Sequence, residues 1–274
     1  MSNNCPIGVF DSGVGGLSVF SQLIKFLPNE NYIYFGDTEN LPYGNKTKEE
    51  LVQISAKIFD FFKSKKVKAV VMACNTTSAL TYDVLKNNYD FKIYPVVQNV
   101  AEQIAKEGHK NIGVFATQGT VNAHAYKTEI QKHNNGINVF EIACPEWVRI
   151  VENGLQEEEE SINNIKLHLD EMLLYKPDKI ILGCTHYPYL LNVLSKFIQP
   201  ATFINPAQYF AQSIYEDLKN NNLLCTEEEK EHTFFVSKNP AQFAKASKLF
   251  YKVKQRKRTS TSFEKRSGSA NGAA

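Results

Sequence analysis

The sequence holds no CxxC pair and no run of about 18 apolar residues. It also lacks both glycine patterns that cradle nucleotide phosphates, GxGxxG and GxxxxGK[ST]. The missing apolar run argues against a membrane span, and the missing glycine patterns weaken a nucleotide-binding reading. No charged-then-apolar leader opens the chain, so a cytoplasmic protein is expected, with no membrane partner. Cysteines number five and are widely spaced (Cys5, Cys74, Cys144, Cys184, Cys225), which makes no disulfide framework. They are expected as reduced thiols, and the question becomes which of them do chemistry. Net charge is also small: 31 basic and 29 acidic residues leave the 274 residues at +2. Even that figure misleads, because the stretch from Lys252 to Ala274 holds seven basic residues against one acid, Glu264, leaving the rest at −4. The folded body is therefore mildly acidic, and nucleic-acid binding is not expected of it. The tail 252–274 is rich in Ser, Gly and Ala, is expected to be disordered, and is set aside from the fold.

Hydrophobic residues make up 43% of the chain, enough for a real core. Short apolar runs alternate with segments of helical period. Pro6–Phe10, Asn31–Phe35, Ala69–Ala73 and Ile93–Val97 read as strands. Leu17–Phe26, Lys48–Lys63 and Thr77–Asn87 read as helices. Such alternation predicts parallel sheets covered on both faces. The pattern then restarts. Ile7-Gly8-Val9-Phe10 recurs as Ile112-Gly113-Val114-Phe115, and the run Val67–Cys74 is echoed by Pro177–Cys184. Two features in the same order at nearly the same offset predict duplicated halves. The expected architecture is α/β: two similar three-layer domains with mostly parallel sheets in pseudo-twofold relation and a cleft between them. The first is 1–97 plus 208–251, taking in the later helix Tyr209–Asn220 and strand His232–Val236; the second is 98–207.

Ligands in open α/β sheets sit beyond the carboxyl ends of strands. Asp11, Cys74, Thr117 and Cys184 each follow a predicted strand directly, so facing halves would put all four in one cleft. Asp11–Gly16 is a strand-to-helix loop whose glycines permit positive φ and close backbone approach. Its amides suit a carboxylate, though a plain tight turn explains the glycines equally well. Cys74 is followed by Asn75, Thr76 and Thr77 at an expected helix start, where amides and dipole stabilise a thiolate. A buried cysteine that merely fills core is the competing reading. Gly183-Cys184-Thr185-His186-Tyr187-Pro188 sets a thiol beside a hydroxyl and an imidazole, with His186 available as base or orienting group. A zinc site would need further ligands, and no second cluster is evident. The loop from Asp37 through Pro42-Tyr43-Gly44 can close on a ligand or simply connect. Trp147 reads as core and Glu157–Glu160 as a solvated helix start. His109, His124, His133, His168 and His232 carry no signal of chemistry.

Taken in order, Asp11–Ser18, Asp37-Thr38, Pro42-Tyr43-Gly44, Ala73–Thr76 and Gly183–Pro188 resemble the glutamate racemase members of the aspartate/glutamate racemase family, from about Ile7 to Val236. The resemblance implies two α/β domains with the active site between them, no cofactor and no metal, glutamate as substrate, a homodimer, and D-glutamate supply for peptidoglycan. It makes Cys74 and Cys184 the two acid/base thiols, with Asp11 and His186 as their helpers. Ser12, Pro42, Tyr43, Gly44, Asn75, Thr76, Thr117 and Thr185 become substrate contacts, joined by Asp11, Cys74 and His186. Glu152 becomes a further helper. Thr77 stands where Ala is more usual, and Glu146–Glu152 differs from the commoner family pattern. Racemisation removes the α-proton from one face and returns a proton to the other, which two opposed groups do naturally. Rival readings are an aspartate or broad-specificity racemase, a catalytically silent ligand-binding or regulatory protein on the same fold, and a zinc hydrolase using Cys184 and His186.

Overall fold

The computed structural model describes residues 3–226 and 230–250, so the expected tail 252–274 lies outside them. The chain opens with β1 (Ile7–Asp11), α1 (Leu17–Phe26), β2 (Tyr32–Gly36), α2 (Lys48–Ser64), β3 (Ala69–Met72), α3 (Asn75–Leu85), β4 (Lys92–Pro95) and α4 (Val96–Ile104). It continues through β5 (Asn111–Ala116), α5 (Gln118–Asn122), α6 (Ala125–His133), β6 (Asn138–Ala143), α7 (Pro145–Glu152), α8 (Glu159–Leu173), β7 (Lys179–Gly183), α9 (Leu191–Leu194) and β8 (Phe203–Ile204). It closes with α10 (Pro206–Asn220), β9 (His232–Val236) and α11 (Pro240–Phe250).

Two sheets result, in the orders β4-β3-β1-β2-β9 and β6-β5-β7-β8, and every pairing is parallel. With β9 set aside the two orders are the same. β1 corresponds to β5, β2 to β6, β3 to β7 and β4 to β8, which is the repeat of the sequence in three dimensions. The strands are apolar almost throughout because helices cover both faces. In the first sheet, alternation sorts the side chains. Val9, Tyr34, Val71 and Tyr94 face a core shared with α1, α4, α10 and the second sheet. Phe10, Phe35, Met72 and Ile93 face a second core with α2. The repeated glycine has one task in both sheets. A Cβ on Gly8 would lie 2.8 Å from the Phe62 ring on α2, and one on Gly113 would lie 2.5 Å from Met172 Sδ on α8. Each glycine lets a helix side chain sit down on the sheet.

Most element bounds shift by one to three residues from the sequence expectation, the later helix starting at Pro206 and not Tyr209, and two of the shifts have a physical consequence. α3 starts at Asn75, so Cys74 is its N-cap. Val96 and Val97 belong to α4 and not to a strand. With Val100, Ala101 and Ile104 they form a buried stripe at helical spacing. At the amino ends of the first sheet's strands, Lys68 Nζ meets Glu30 Oε2 at 2.6 Å, with both side chains almost wholly buried. Lys68 also donates to the carbonyls of Asn3 and Leu223, and Glu30 Oε1 accepts the Cys225 amide. Among the described residues no helix is long and apolar enough to cross a membrane.

Candidate active site

The carboxyl ends of both sheets open onto one cleft of about 390 Å³, within the range of small-molecule sites. Its walls include Ser12, Pro42, Tyr43, Gly44, Cys74, Asn75, Thr76, Thr117, Glu152, Cys184, Thr185 and His186. Residues separated by more than 170 positions thus converge because β1, β3, β5 and β7 all end at the same place. The two thiols occupy equivalent positions, just past β3 and just past β7, and are only 5% and 6% exposed.

Asp11 departs from the expectation that it would line the wall. It is fully buried behind it, accepting the Gly13 amide at 3.0 Å and the Thr185 hydroxyl at 3.3 Å. The glycine-rich loop makes this possible through space and not through unusual φ, since among the described glycines only Gly108 and Gly154 have positive φ. A Cβ on Gly16 would fall 2.3 Å from Asp11 Cβ, and one on Gly15 would fall 2.5 Å from both His186 Cε1 and Thr185 Oγ1. The loop from Asp37 is braced from within: the Asp37 carboxylate accepts from Asn40 Nδ2 and from the Tyr43 hydroxyl. That fixes Tyr43, and with it Pro42 and Gly44, against the cleft.

The surroundings of the two thiols differ. Burial pushes Cys74 up to about 12, and the nearby charges of Asp11 and then of Cys184 add to this; the Thr77 amide and hydroxyl pull the other way. The helix N-terminus expected to favour thiolate is therefore present but outweighed, and Cys74 rests as a neutral thiol. Asp11 is itself raised by burial, against the opposing pull of His186 and of the Gly13 and Gly16 amides. Cys184 does not cap an α-helix; a 3-10 turn, Tyr187–Leu190, comes between it and the short α9. Its partner is His186, whose Nδ1 lies 3.8 Å from Sγ. His186 Nε2 meets Glu152 Oε1 at 3.0 Å. Burial alone would depress the imidazole, but hydrogen bonds to Cys184 and Glu152 together overcome it and hold His186 at about 10. The site thus carries a neutral thiol near a buried carboxylate on one side and a thiol–imidazole–carboxylate chain on the other.

Hydroxyls and amides complete the floor. Thr76 Oγ1 and Thr117 Oγ1 are 2.9 Å apart, and Thr117 continues to Thr120 at 3.0 Å. Ser18 Oγ holds the Thr185 carbonyl at 3.0 Å. Sequence reading offered Glu152 but missed the rest of α7 as an element of the site. Its core face is Trp147, Ile150 and Val151, whereas Pro145, Val148, Arg149, Glu152 and Asn153 line the cleft at helical spacing. The signal was there, a proline at the first helical turn followed by a 3-4 stripe. Gln118 and Asn45 also line the cleft, without any sequence signal. Trp147 is core, as expected. Among the described residues no three His, Cys, Asp or Glu side chains are grouped as metal ligands, so the zinc reading gains no third donor.

Residues 7–214 match the Asp/Glu/Hydantoin racemase family. Glutamate racemase 1 of Caldanaerobacter subterraneus subsp. tengcongensis is 37% identical over 252 residues, covering 91% of this chain and 94% of that protein. The crystal structure of glutamate racemase from Francisella tularensis subsp. tularensis SCHU S4 in complex with D-glutamate superposes with a TM-score of 0.89 at 32% identity, covering 96% of this chain and 99% of that one. Picrophilus torridus aspartate racemase shares the fold alone, with a TM-score of 0.58 at 15% identity over 81% of this chain and 99% of that one. The chain belongs to the Asp/Glu/Hydantoin racemase family.

Proposed function

We propose that the enzyme interconverts L- and D-glutamate without a cofactor, using Cys74 and Cys184 as proton-transfer groups on opposite faces of the α-carbon. The observation that carries this reading is the presence of two nearly buried thiols, at equivalent strand ends, in the wall of one small cleft. In one direction a thiolate removes the α-proton while the opposite thiol delivers its own proton to the other face, and the reverse direction exchanges the roles. Asp11 serves the proton traffic of Cys74, and the His186–Glu152 pair serves that of Cys184. The α-proton of an amino acid is very weakly acidic, so charge developing on the α-carboxylate needs preorganised donors. On this reading Ser12, Asn75, Thr76, Thr117 and Thr185 supply them and Pro42, Tyr43 and Gly44 contact the substrate, supported by the presence of all eight in the lining of the cleft. Relatives near 37% identity that bear the glutamate name, against a 15% match to an aspartate enzyme, favour glutamate over aspartate. The same reading makes the catalytic halves 1–97 with 208–251 and 98–207. It also assigns the enzyme to the cytoplasm as a homodimer that supplies D-glutamate for peptidoglycan.

Circular dichroism of L- and D-glutamate solutions tests it. Chelator-treated protein with no added pyridoxal phosphate should racemise both enantiomers, and turn over aspartate far more slowly. Cys74→Ala and Cys184→Ala should each abolish racemisation. Near-normal turnover by either variant would end the two-thiol scheme.

A further inference from the structure

Resting on the reading above, we infer that Tyr126 is a positioning residue: it ties together the two thiol-bearing strand ends and holds the Asn75 side-chain amide with its NH2 toward the substrate carboxylate.

Tyr126 lies at the start of α6, in the second sheet's half of the molecule, and is fully buried. Its hydroxyl donates to Asn75 Oδ1 at 2.7 Å. Asn75 follows Cys74 directly. The other side of the same ring rests on Gly183, the residue before Cys184, where a Cβ would fall 3.0 Å from Tyr126 Cε2. One side chain therefore spans from the neighbour of one thiol to the neighbour of the other. Its own placement is firm. His124 turns the chain with φ of 46°, and Glu141, on β6, holds both the His124 ring at 3.0 Å and the Lys127 amide at 3.3 Å. The start of α6 is thus pinned to the second sheet while the tyrosine reaches across to the first.

The chemistry gives the contact a direction. An asparagine amide presents either an acceptor or a donor, and only the NH2 end can meet a carboxylate. A buried Tyr126 O–H needs an acceptor, and turning the amide round would aim an N–H at it and leave the proton without one. Tyr126 therefore selects the orientation that keeps the NH2 for the cleft that Asn75 lines.

Tyr126→Phe keeps the ring on Gly183 and removes only the hydroxyl. The expected result, by calorimetry with D-glutamate, is a Kd raised about tenfold, the size of one neutral hydrogen bond. KM should rise in parallel, kcat should stay within about threefold, and the melting temperature should change little. Because Tyr126 acts through Asn75, the same substitution in an Asn75→Ala background should alter Kd by less than about twofold. A crystal structure of the wild-type D-glutamate complex provides a second arm that needs no variant: one end of the Asn75 amide should touch Tyr126 and the other a substrate carboxylate oxygen. Unchanged affinity in Tyr126→Phe, an undiminished effect in the Asn75→Ala background, a loss of melting temperature alone, or a substrate that avoids the Asn75 amide would each overturn the inference. Wild-type protein that binds and racemises glutamate separates these outcomes from failure of the functional reading; wild-type protein that binds no glutamate overturns both.

Discussion

Gly15→Ala offers a test in which a single methyl group is aimed at His186 from behind. The added Cβ would lie 2.5 Å from His186 Cε1 and Thr185 Oγ1 and 2.6 Å from His186 Nδ1, whereas ordinary contact begins at 3.4 Å. His186 must therefore move by roughly 1 Å, or the loop must. His186 is 2% exposed and hydrogen-bonded to Glu152 at 3.0 Å, and a shift of that size breaks the bond. Overpacking of this kind costs about 1–3 kcal/mol, and loss of a charge-assisted hydrogen bond adds about 1.5–3 kcal/mol. For a chain of this length the sum corresponds to a melting temperature lower by roughly 5–15 °C. Activity should suffer more than stability, since a 1 Å misplacement at a reacting group costs on the order of a hundredfold. Gly13→Ala is the control: its Cβ would come no nearer than 3.3 Å to a flexible Leu41 methyl, with the second Leu41 methyl at 3.8 Å and Glu152 Oε1 at 3.9 Å, both in ordinary contact, and it should lose little of either quantity. Both variants are read by dichroism of glutamate and by thermal melting. A Gly15→Ala enzyme within threefold of wild type and within 2 °C in melting would show that the loop does not need glycine for the reason given.

Glu152→Gln keeps a hydrogen-bond acceptor near His186 but removes its charge, so the imidazole should titrate about one unit lower. Since His186 is held at about 10, the alkaline limb of kcat/KM should move to lower pH relative to wild type in the same assay, which cancels titration of the substrate amine. The sign for stability follows. A histidine raised from 6.5 to about 10 contributes fully below 6.5 and loses its contribution as pH rises through 10, so wild type should lose stability across that window more steeply than the variant. Parallel profiles would refute the pairing. Lys68→Met leaves the Glu30 carboxylate buried without its cation and should cost about 3–5 kcal/mol in urea unfolding. Turnover at 20 °C should be unaffected, because the pair sits at the amino ends of the strands, away from the cleft. Equal unfolding midpoints would show the pair to be neutral.

How far the sequence disclosed all this depends on the range of each interaction. Period and repeat are local, so Leu17–Phe26 and the matching cysteine-ended strands could be read from the chain, and strand-end logic brought Cys74, Thr117 and Cys184 to one place. The ionisation of Cys74 could not be read. The helix start after it is visible in the residues, but its burial and the charge of Asp11, fixed by folding, outweigh that start. Glycine in Asp11–Gly16 suggested positive φ; the actual need is room for Asp11, Thr185 and His186, two of which are more than 160 residues away. Val96 and Val97 favour strands by type, yet a buried helical stripe overrides that preference. The contact of Tyr126 with Asn75 spans 51 positions between α6 and α3 and leaves no mark in local pattern.

Single-turnover racemisation in deuterium oxide measures the division of labour between the two thiols directly. Starting from either enantiomer at early conversion, the product should carry deuterium at Cα while the remaining substrate keeps its hydrogen, because the proton taken by one sulfur is not the one given by the other. Deuterium washing into unreacted substrate as fast as into product, or product that retains the substrate's own hydrogen, would mean that one group serves both faces.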